Sequence, residues 1–296
     1  MLGKIEEENL NNIQTIYYHG SCPDGIIARQ ILKIVFPDKK YIPYYFEEFS
    51  VIPKYSLFID CSPKAHQIEE MIYNGCLIAD HHISMFPALE PFLHSNQVLF
   101  GESEKIESGA KLAFHLISLI LKEKQHRYTK VQQVAEMIAI SDTWQKDNKL
   151  FTNARKLASY ITFFGNAFNV PLKNLLSHEH WNVIEDYAKV QDRKTRNQVA
   201  RAIIVDDIAF INDMNISNAA EILRSEKNMR IIVGYNVSVD LQTNQSTIYY
   251  SLRSSEEFDC AEFCKSQNGG GHKAAAGFST EYIIGKDPIG YFLSLK

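Results

Sequence analysis

Three short segments carry side chains that ligate metals or move protons: His19-Gly20-Ser21-Cys22-Pro23-Asp24, then Asp60, then Asp80-His81-His82, with Asp142 a fourth candidate. Charge is out of place where an apolar run ends, because burying it unpaired is costly and leaving it in water requires no such position. Two carboxylates ~4 Å apart repel by roughly 4 kcal/mol at an effective dielectric near 20, so three or four that converge need cations. Carboxylates and imidazoles without a thiolate quartet suit Mn, Fe, Co or Zn, and a carboxylate commonly bridges two ions ~3.5–4 Å apart. A polar loop after a strand would account for Asp80-His81-His82 alone, but not for acids at the ends of other strands.

The elements that must position these groups alternate strand and helix. Residues 14–18 are β-branched and aromatic and lead into His19, with an apolar-periodic helix expected over 26–36. Strands over 55–59 and 76–79 end at Asp60 and Asp80, and Asp142 follows a helical stretch over 131–140. Further strands are expected over 41–46 and 97–100, and a helix over 107–122 that Ser108 caps. Such alternation predicts an α/β fold, a parallel doubly wound sheet, in which ligands bind beyond the carboxyl ends of the strands. The expected organisation is a catalytic domain over 1–150, a helical connector over 151–201, and a smaller α/β domain with a mixed sheet over 202–296. Strands there are expected over 202–205, 208–212, 230–237 and 246–252, and helices over 218–224 and 259–266.

A second constellation lies near the carboxyl end: Gly269-Gly270-Gly271-His272-Lys273-Ala274-Ala275-Ala276. Three glycines remove every Cβ, so backbone amides can approach an anion, with His272 and Lys273 as added donors. Ala274, Ala275 and Ala276 suit a tightly packed helix whose amino terminus favours negative charge. A flexible linker would not be followed by small apolar residues or preceded by the strand-like Ile248-Tyr249-Tyr250.

Together these segments resemble the DHH phosphoesterase superfamily, which includes oligoribonucleases, RecJ-type exonucleases, cyclic-dinucleotide phosphodiesterases and family II pyrophosphatases. Gly269 to His272 resembles the GGGH motif of the associated substrate-binding domain, and Ser251-Leu252-Arg253-Ser254 its phosphate-contacting element. The resemblance implies metal ligation by His19, Asp24, Asp60, His81 and Asp142, with Asp60 shared by two ions. It implies that His82 contacts the substrate phosphate or the leaving oxygen, that Asp80 orients the imidazoles, and that Arg253, the glycines, His272 and Lys273 hold phosphate. Cys22 departs from the pattern, standing where the first of two aspartates is usual. As a ligand it would shift a two-manganese site towards Zn, Fe or Co and make the two affinities unequal; otherwise it is a small packing residue in the turn.

The expected activity is metal-dependent hydrolysis of short oligonucleotides, two to five nucleotides long, to mononucleotides in a cleft closed by the second lobe. The alternatives are a 3′-phosphoadenosine 5′-phosphate phosphatase, a cyclic-dinucleotide phosphodiesterase, or a catalytically weakened nucleotide-binding protein. A formal net charge of −4 over 296 residues weighs against a grip on long nucleic acid. The basic run Lys189, Arg193, Lys194, Arg196 and Arg201 is expected to be a solvated helix face. No apolar stretch is long enough for a membrane helix, the first residues lack a signal peptide's apolar core, and five cysteines without paired spacing suit a reducing compartment. A cytoplasmic monomer or homodimer is expected. His66, His94, His115, His126, His178 and His180 are expected on the surface or in the core, and Trp144 in core packing ahead of the alternative of stacking on a base.

Overall fold

The computed structural model describes residues 1–102, 106–241, 245–255, 257–282 and 285–295, the side chains of Gln125 and His272 excepted. By internal contacts the chain divides into two compact units, Met1–Ala188 and Lys189–Lys296. The expected connector, 151–201, therefore falls partly in each.

The first unit runs β1 (Leu2–Ile5), α1 (Glu7–Asn12), β2 (Thr15–His19), α2 (Pro23–Leu32), β3 (Lys40–Tyr44), β4 (Ser56–Ile59) and α3 (Ile68–Tyr73). It continues with β5 (Leu77–Asp80), α4 (Phe86–Leu89), β6 (Gln97–Phe100), α5 (Gly109–Leu121), α6 (Thr129–Asp142), α7 (Phe151–Phe164) and α8 (Leu172–Leu175). The sheet order is β1-β6-β5-β4-β2-β3. Strands β2 to β6 pair in parallel, and β1, an edge strand with no strong pattern in the sequence, pairs antiparallel with β6.

Both faces of this sheet are covered at its centre, which is why β4, β5 and β6 are nearly continuous apolar runs. Ile16, Leu57, Ile59, Leu77 and Ala79 pack with Ile27 and Ile31 of α2 and Leu112 and Leu116 of α5. Their alternates Phe58, Ile78, Val98 and Phe100 pack with Ile68 and Met71 of α3 and Leu89 of α4. The chain leaves β2 for β3 on one side and leaves β4 for β5 on the other. That reversal between neighbouring strands is where a doubly wound sheet opens a crevice at its carboxyl edge, and it places the ends of β2 and β4 side by side.

Helix α9 (His178–Arg201) crosses the boundary. The second unit then contains β7 (Ile203–Val205), β8 (Ile208–Ile211), α10 (Ser217–Lys227), β9 (Ile231–Asp240), β10 (Gln245–Ser254), α11 (Cys260–Ser266), β11 (Gly270–His272), β12 (Ala275–Glu281) and α12 (Pro288–Ser294). Its sheet, ordered β11-β12-β10-β9-β8-β7, is mixed: β8 and β9 are parallel and the other pairs antiparallel. Tyr250 and Phe278 face Phe292 of α12 on one side, and Ile211 and Ile232 face Ala219 and Leu223 of α10 on the other. On α9, Arg196 pairs with Asp192 at 3.1 Å, and Lys194 pairs with Asp213 at 3.3 Å, so both of these basic side chains are ion-paired.

Two expected elements differ. The helix expected over 26–36 begins earlier, at Pro23, because proline suits the first helical position and the Cys22 side chain caps the turn. Ala274 to Ala276 form no helix: a turn follows β11 and Ala275 opens β12, so the glycine run is the outer strand of a hairpin. The glycines allow close strand pairing. A Cβ on Gly269 would lie 2.3 Å from the Gly277 carbonyl oxygen, and one on Gly271, at φ +142°, 2.5 Å from Ala276 Cα, whereas one on Gly270 meets nothing within 4 Å. Gly271→Ala is therefore expected to lower stability by roughly 1–3 kcal/mol, while Gly270→Ala stays within about 0.5 kcal/mol of the parent. Chemical denaturation of both variants checks this; equal losses would show that strand pairing does not explain the run.

Candidate metal centre

Each ligand candidate is placed by a different element. His19 closes β2, with Nε2 2.9 Å from Ser21 Oγ and Nδ1 3.1 Å from Cys22 Sγ. Cys22 is the N-cap of α2, its sulfur accepting from the Gly25 amide at 3.3 Å. Because α2 starts so early, Asp24 sits in its first turn and reaches the amino terminus of α5. There its buried carboxylate accepts from Ser108 Oγ at 2.9 Å, the Gly109 amide at 2.6 Å and the Ala110 amide at 2.8 Å. Orphan amides and the helix dipole both favour negative charge at such a terminus.

Asp60 follows β4 in a left-handed conformation, φ +58°, and is fully buried. Its backbone amide donates to the Ala79 carbonyl at 2.9 Å, which anchors it to β5. The two carboxylate oxygens face different partners. Oδ1 lies 3.0 Å from His81 Nε2, and Oδ2 lies 3.1 Å from Cys22 Sγ and 3.5 Å from His19 Nδ1. His81 Nε2 is also 3.5 Å from Asp24 Oδ2 and 3.5 Å from Asp142 Oδ2, the latter on the last residue of α6. Two donor groups result, His19 with Asp60 and His82, and Asp24 with His81 and Asp142.

Asp80 supports the cluster from behind. Its carboxylate accepts from Ser62 Oγ at 2.5 Å, the His81 amide at 2.7 Å, the His82 amide at 3.2 Å and His82 Nδ1 at 2.6 Å. With Nδ1 engaged, His82 has Nε2 left for other work.

The electrostatics follow from burial against partners. Burial works against the charged forms of Asp60 and Asp80, but the imidazoles beside them hold both carboxyls below the usual carboxylate range. Burial likewise disfavours a charged His81, yet Asp24 and Asp60 push it up to about 12; Asp80 pushes His82 up to about 9. Burial and the charges of Asp24 and Asp60 raise Asp142 to about 7. Protons on His81 and Asp142 thus balance this many acids when no cation does. Nitrogen and oxygen donors that converge from four segments and need positive charge fit divalent cations.

Ser108 and Ser62 contribute hydrogen bonds that their positions in the sequence did not announce; for Ser108, a small polar residue ahead of Gly109-Ala110 signalled only a helix cap. Trp144 is not in core packing. It is 40% exposed at φ +56°, with the Arg155 guanidinium 4.4 Å from the ring centroid. The residue stands just beyond α6, in a turn that its own amide closes on the Ser141 carbonyl at 3.4 Å. His66 is a surface residue paired with Glu48 at 2.9 Å, and His180 packs edge-on against Tyr160. Among the described residues no helix is long and apolar enough to cross a membrane.

In the second unit Arg253 is half-buried, its guanidinium donating to Ser217 Oγ at 3.2 and 3.3 Å, Ser251 Oγ at 3.1 Å and the Leu252 carbonyl at 2.8 Å. Gly269, Gly270 and Gly271 lie at the hairpin described above and Lys273 is exposed in its turn; the side chain of His272 lies outside the described residues.

Residues 200–287 match the family model of the DHHA1 domain. No curated protein matches the chain in sequence. The solved structure of a pGpG-specific phosphodiesterase, PggH from Vibrio cholerae, is similar over 96% of this chain and 97% of its own, at 13% identity and a TM-score of 0.50. A solved DHH domain, from a protein assigned to a family of ribosomal proteins, is similar over 93% of this chain and 84% of its own, at 12% identity and a TM-score of 0.58. The likenesses are ones of fold; with the DHHA1 match they bear out the resemblance to the DHH superfamily and the two-sheet α/β architecture.

The proton balance predicts a pH dependence. A histidine raised above its ordinary value stabilises the fold fully below about pH 6.5 and loses that contribution as pH climbs towards its folded value. Asp142, raised to about 7, acts in the same sense, contributing near pH 4 and losing it as pH passes 7. Cations displace these protons, so binding tightens as pH rises. At about 100 times its dissociation constant, Mn2+ or Zn2+ should stabilise by roughly 2.7 kcal/mol. At one fixed cation concentration, thermal melts with and without chelator should show a larger shift at about pH 8 than at about pH 5.5. A larger shift at the acid end would mean that these side chains are not the ligands.

Proposed function

We propose that this DHH-type chain is a divalent-metal-dependent phosphodiesterase that hydrolyses oligonucleotides of two to five residues to mononucleotides. The observation that carries it is Asp60, whose two buried oxygens face His81 on one side and Cys22 with His19 on the other. A carboxylate so placed can be shared by two cations, which when bound would supply Lewis acidity and lower the pKa of water at the phosphate. Asp24, His81 and Asp142 hold one position, and His19 with Asp60 the other. His82, fixed through Nδ1 by Asp80 and protonated near neutral pH, presents its other nitrogen as a donor to a phosphoryl or leaving oxygen.

The scale of the substrate is supported by the fold-level likeness to a pGpG-specific phosphodiesterase and by the motif resemblance of Arg253 and the glycine strand to phosphate-contacting elements. Arg253, preset by Ser217 and Ser251, is the candidate for the terminal phosphate. Trp144, exposed two residues beyond Asp142, is a candidate stacking surface for a base.

A panel of a linear dinucleotide, a pentamer, a 24-mer, 3′-phosphoadenosine 5′-phosphate and a cyclic dinucleotide, assayed with Mn2+ and with Zn2+, tests the reading. Turnover should be highest on the dinucleotide, be abolished by chelator, and fall about 10³-fold or more in Asp60→Ala, the several kcal/mol that a lost shared ligand represents. Turnover confined to either of the last two substrates would replace the oligonucleotide with the phosphatase or cyclic-dinucleotide alternative. No turnover with firm nucleotide binding would make the chain a binding protein.

Trp144→Ala should raise KM for the dinucleotide about 5- to 150-fold, the equivalent of the roughly 1–3 kcal/mol of a base stack. The same variant should leave bis(p-nitrophenyl) phosphate, which lacks a nucleobase, unchanged. Equal effects on both substrates would remove the stacking role.

A further inference from the structure

The Cys22 sulfur lies inside the donor cluster, and capping α2 does not require it, since serine or aspartate caps a helix as well. Sγ is 3.1 Å from His19 Nδ1 and 3.1 Å from Asp60 Oδ2, and those two atoms are 3.5 Å apart. Donor atoms bound tetrahedrally to one ion at about 2.0–2.3 Å are separated by roughly 3.3–3.7 Å. The nitrogen, sulfur and oxygen atoms therefore already form one face of such a shell to within a few tenths of an ångström. His82 belongs to the same donor group as His19 and Asp60. The other group, Asp24, His81 and Asp142, has only nitrogen and oxygen donors.

We propose that Cys22 is a thiolate ligand which, with His19 and Asp60, makes one cation position soft, of zinc or ferrous-iron type, beside a harder nitrogen and oxygen position at Asp24, His81 and Asp142. The inference rests on the metal-dependent reading above and divides it into two unlike sites. Thiolate donors favour Zn, Fe(II) and Co(II) over Mn and Mg, whereas the harder position admits Mn. The amide of Gly25 and the amino terminus of α2 stabilise charge on the sulfur.

Cobalt substitution of the full-length protein distinguishes the outcomes. Wild type loaded anaerobically with Co2+ should show a near-ultraviolet sulfur-to-cobalt charge-transfer band, which Cys22→Ser loses while retaining the visible bands of cobalt at the harder position. Cys22→Asp, with a hard donor and a good cap, should lose the band too and retain two bound cations. Alkylation of the native protein gives an independent readout. Cys22 is half-buried while Cys61, Cys76, Cys260 and Cys264 are buried, so it is the thiol most open to alkylation, and Zn2+ should slow its labelling. Cobalt bound by wild type without a charge-transfer band, or labelling unaffected by Zn2+, would leave Cys22 as a cap only and overturn the inference while the metal reading stands. No cobalt binding by any variant would overturn both.

Discussion

The first unit is organised around one buried carboxylate, that of Asp60, with imidazoles and a thiol arranged about its two oxygens. A fully buried acid is tolerable only if its charge is met, and here the partners come from β2, α2 and the segment after β5. Its backbone position is also determined by its surroundings. A left-handed conformation at a residue with a side chain costs of order 1–3 kcal/mol and persists where neighbours impose it. The amide of Asp60 is tied to β5, and α5 approaches so closely that a Cβ on Gly109 would lie 2.2 Å from the Cβ of Asp60. Any residue but glycine at 109 would displace either the helix or the carboxylate.

The same approach explains the path of Asp24. Glycine at 109 lets the start of α5 come against the sheet edge, where its free amides would be buried without partners. Asp24 supplies those partners, so one carboxylate both completes a helix and offers an oxygen towards His81. Asp80 does equivalent work on the other side, holding two backbone amides and the His82 ring. The candidate ligands are thus oriented by carboxylates that are themselves hydrogen-bonded to the backbone, the arrangement that keeps a site rigid.

Much of this was legible in the sequence where burial left a mark. Strands covered on both faces show as apolar runs, so β2, β4, β5 and β6 are legible, with His19, Asp60 and Asp80 at the ends of the first three. Short-range pattern failed where the deciding contact is distant in the chain. Strand β1 is mostly exposed and acquires its identity only by pairing with β6, about a hundred residues later. Ala274 to Ala276 suit a helix by propensity, but pairing of Ala275 with Arg253 and Ala276 with Leu252 draws them into a strand. The reach of Asp24 to α5 depends on where α2 begins, and Cys22 as the cap of that helix is an uncommon signal. A tryptophan suits the core by its type, whereas the exposure of Trp144 reflects a tight turn after α6.

The donor cluster is positioned by a glycine, a helix terminus and a sheet edge. What would be left unbalanced without a cation is charge, and protons on His81 and Asp142 supply the balance. Exchanging protons for cations then changes the charge of the centre with little demand on the backbone. Catalysis by electrostatic stabilisation depends on donors that are already in place when charge develops, and on little reorganisation when it does. Asp60 fits that condition: its left-handed backbone is held by the bond of its amide to β5 and by the close approach of α5.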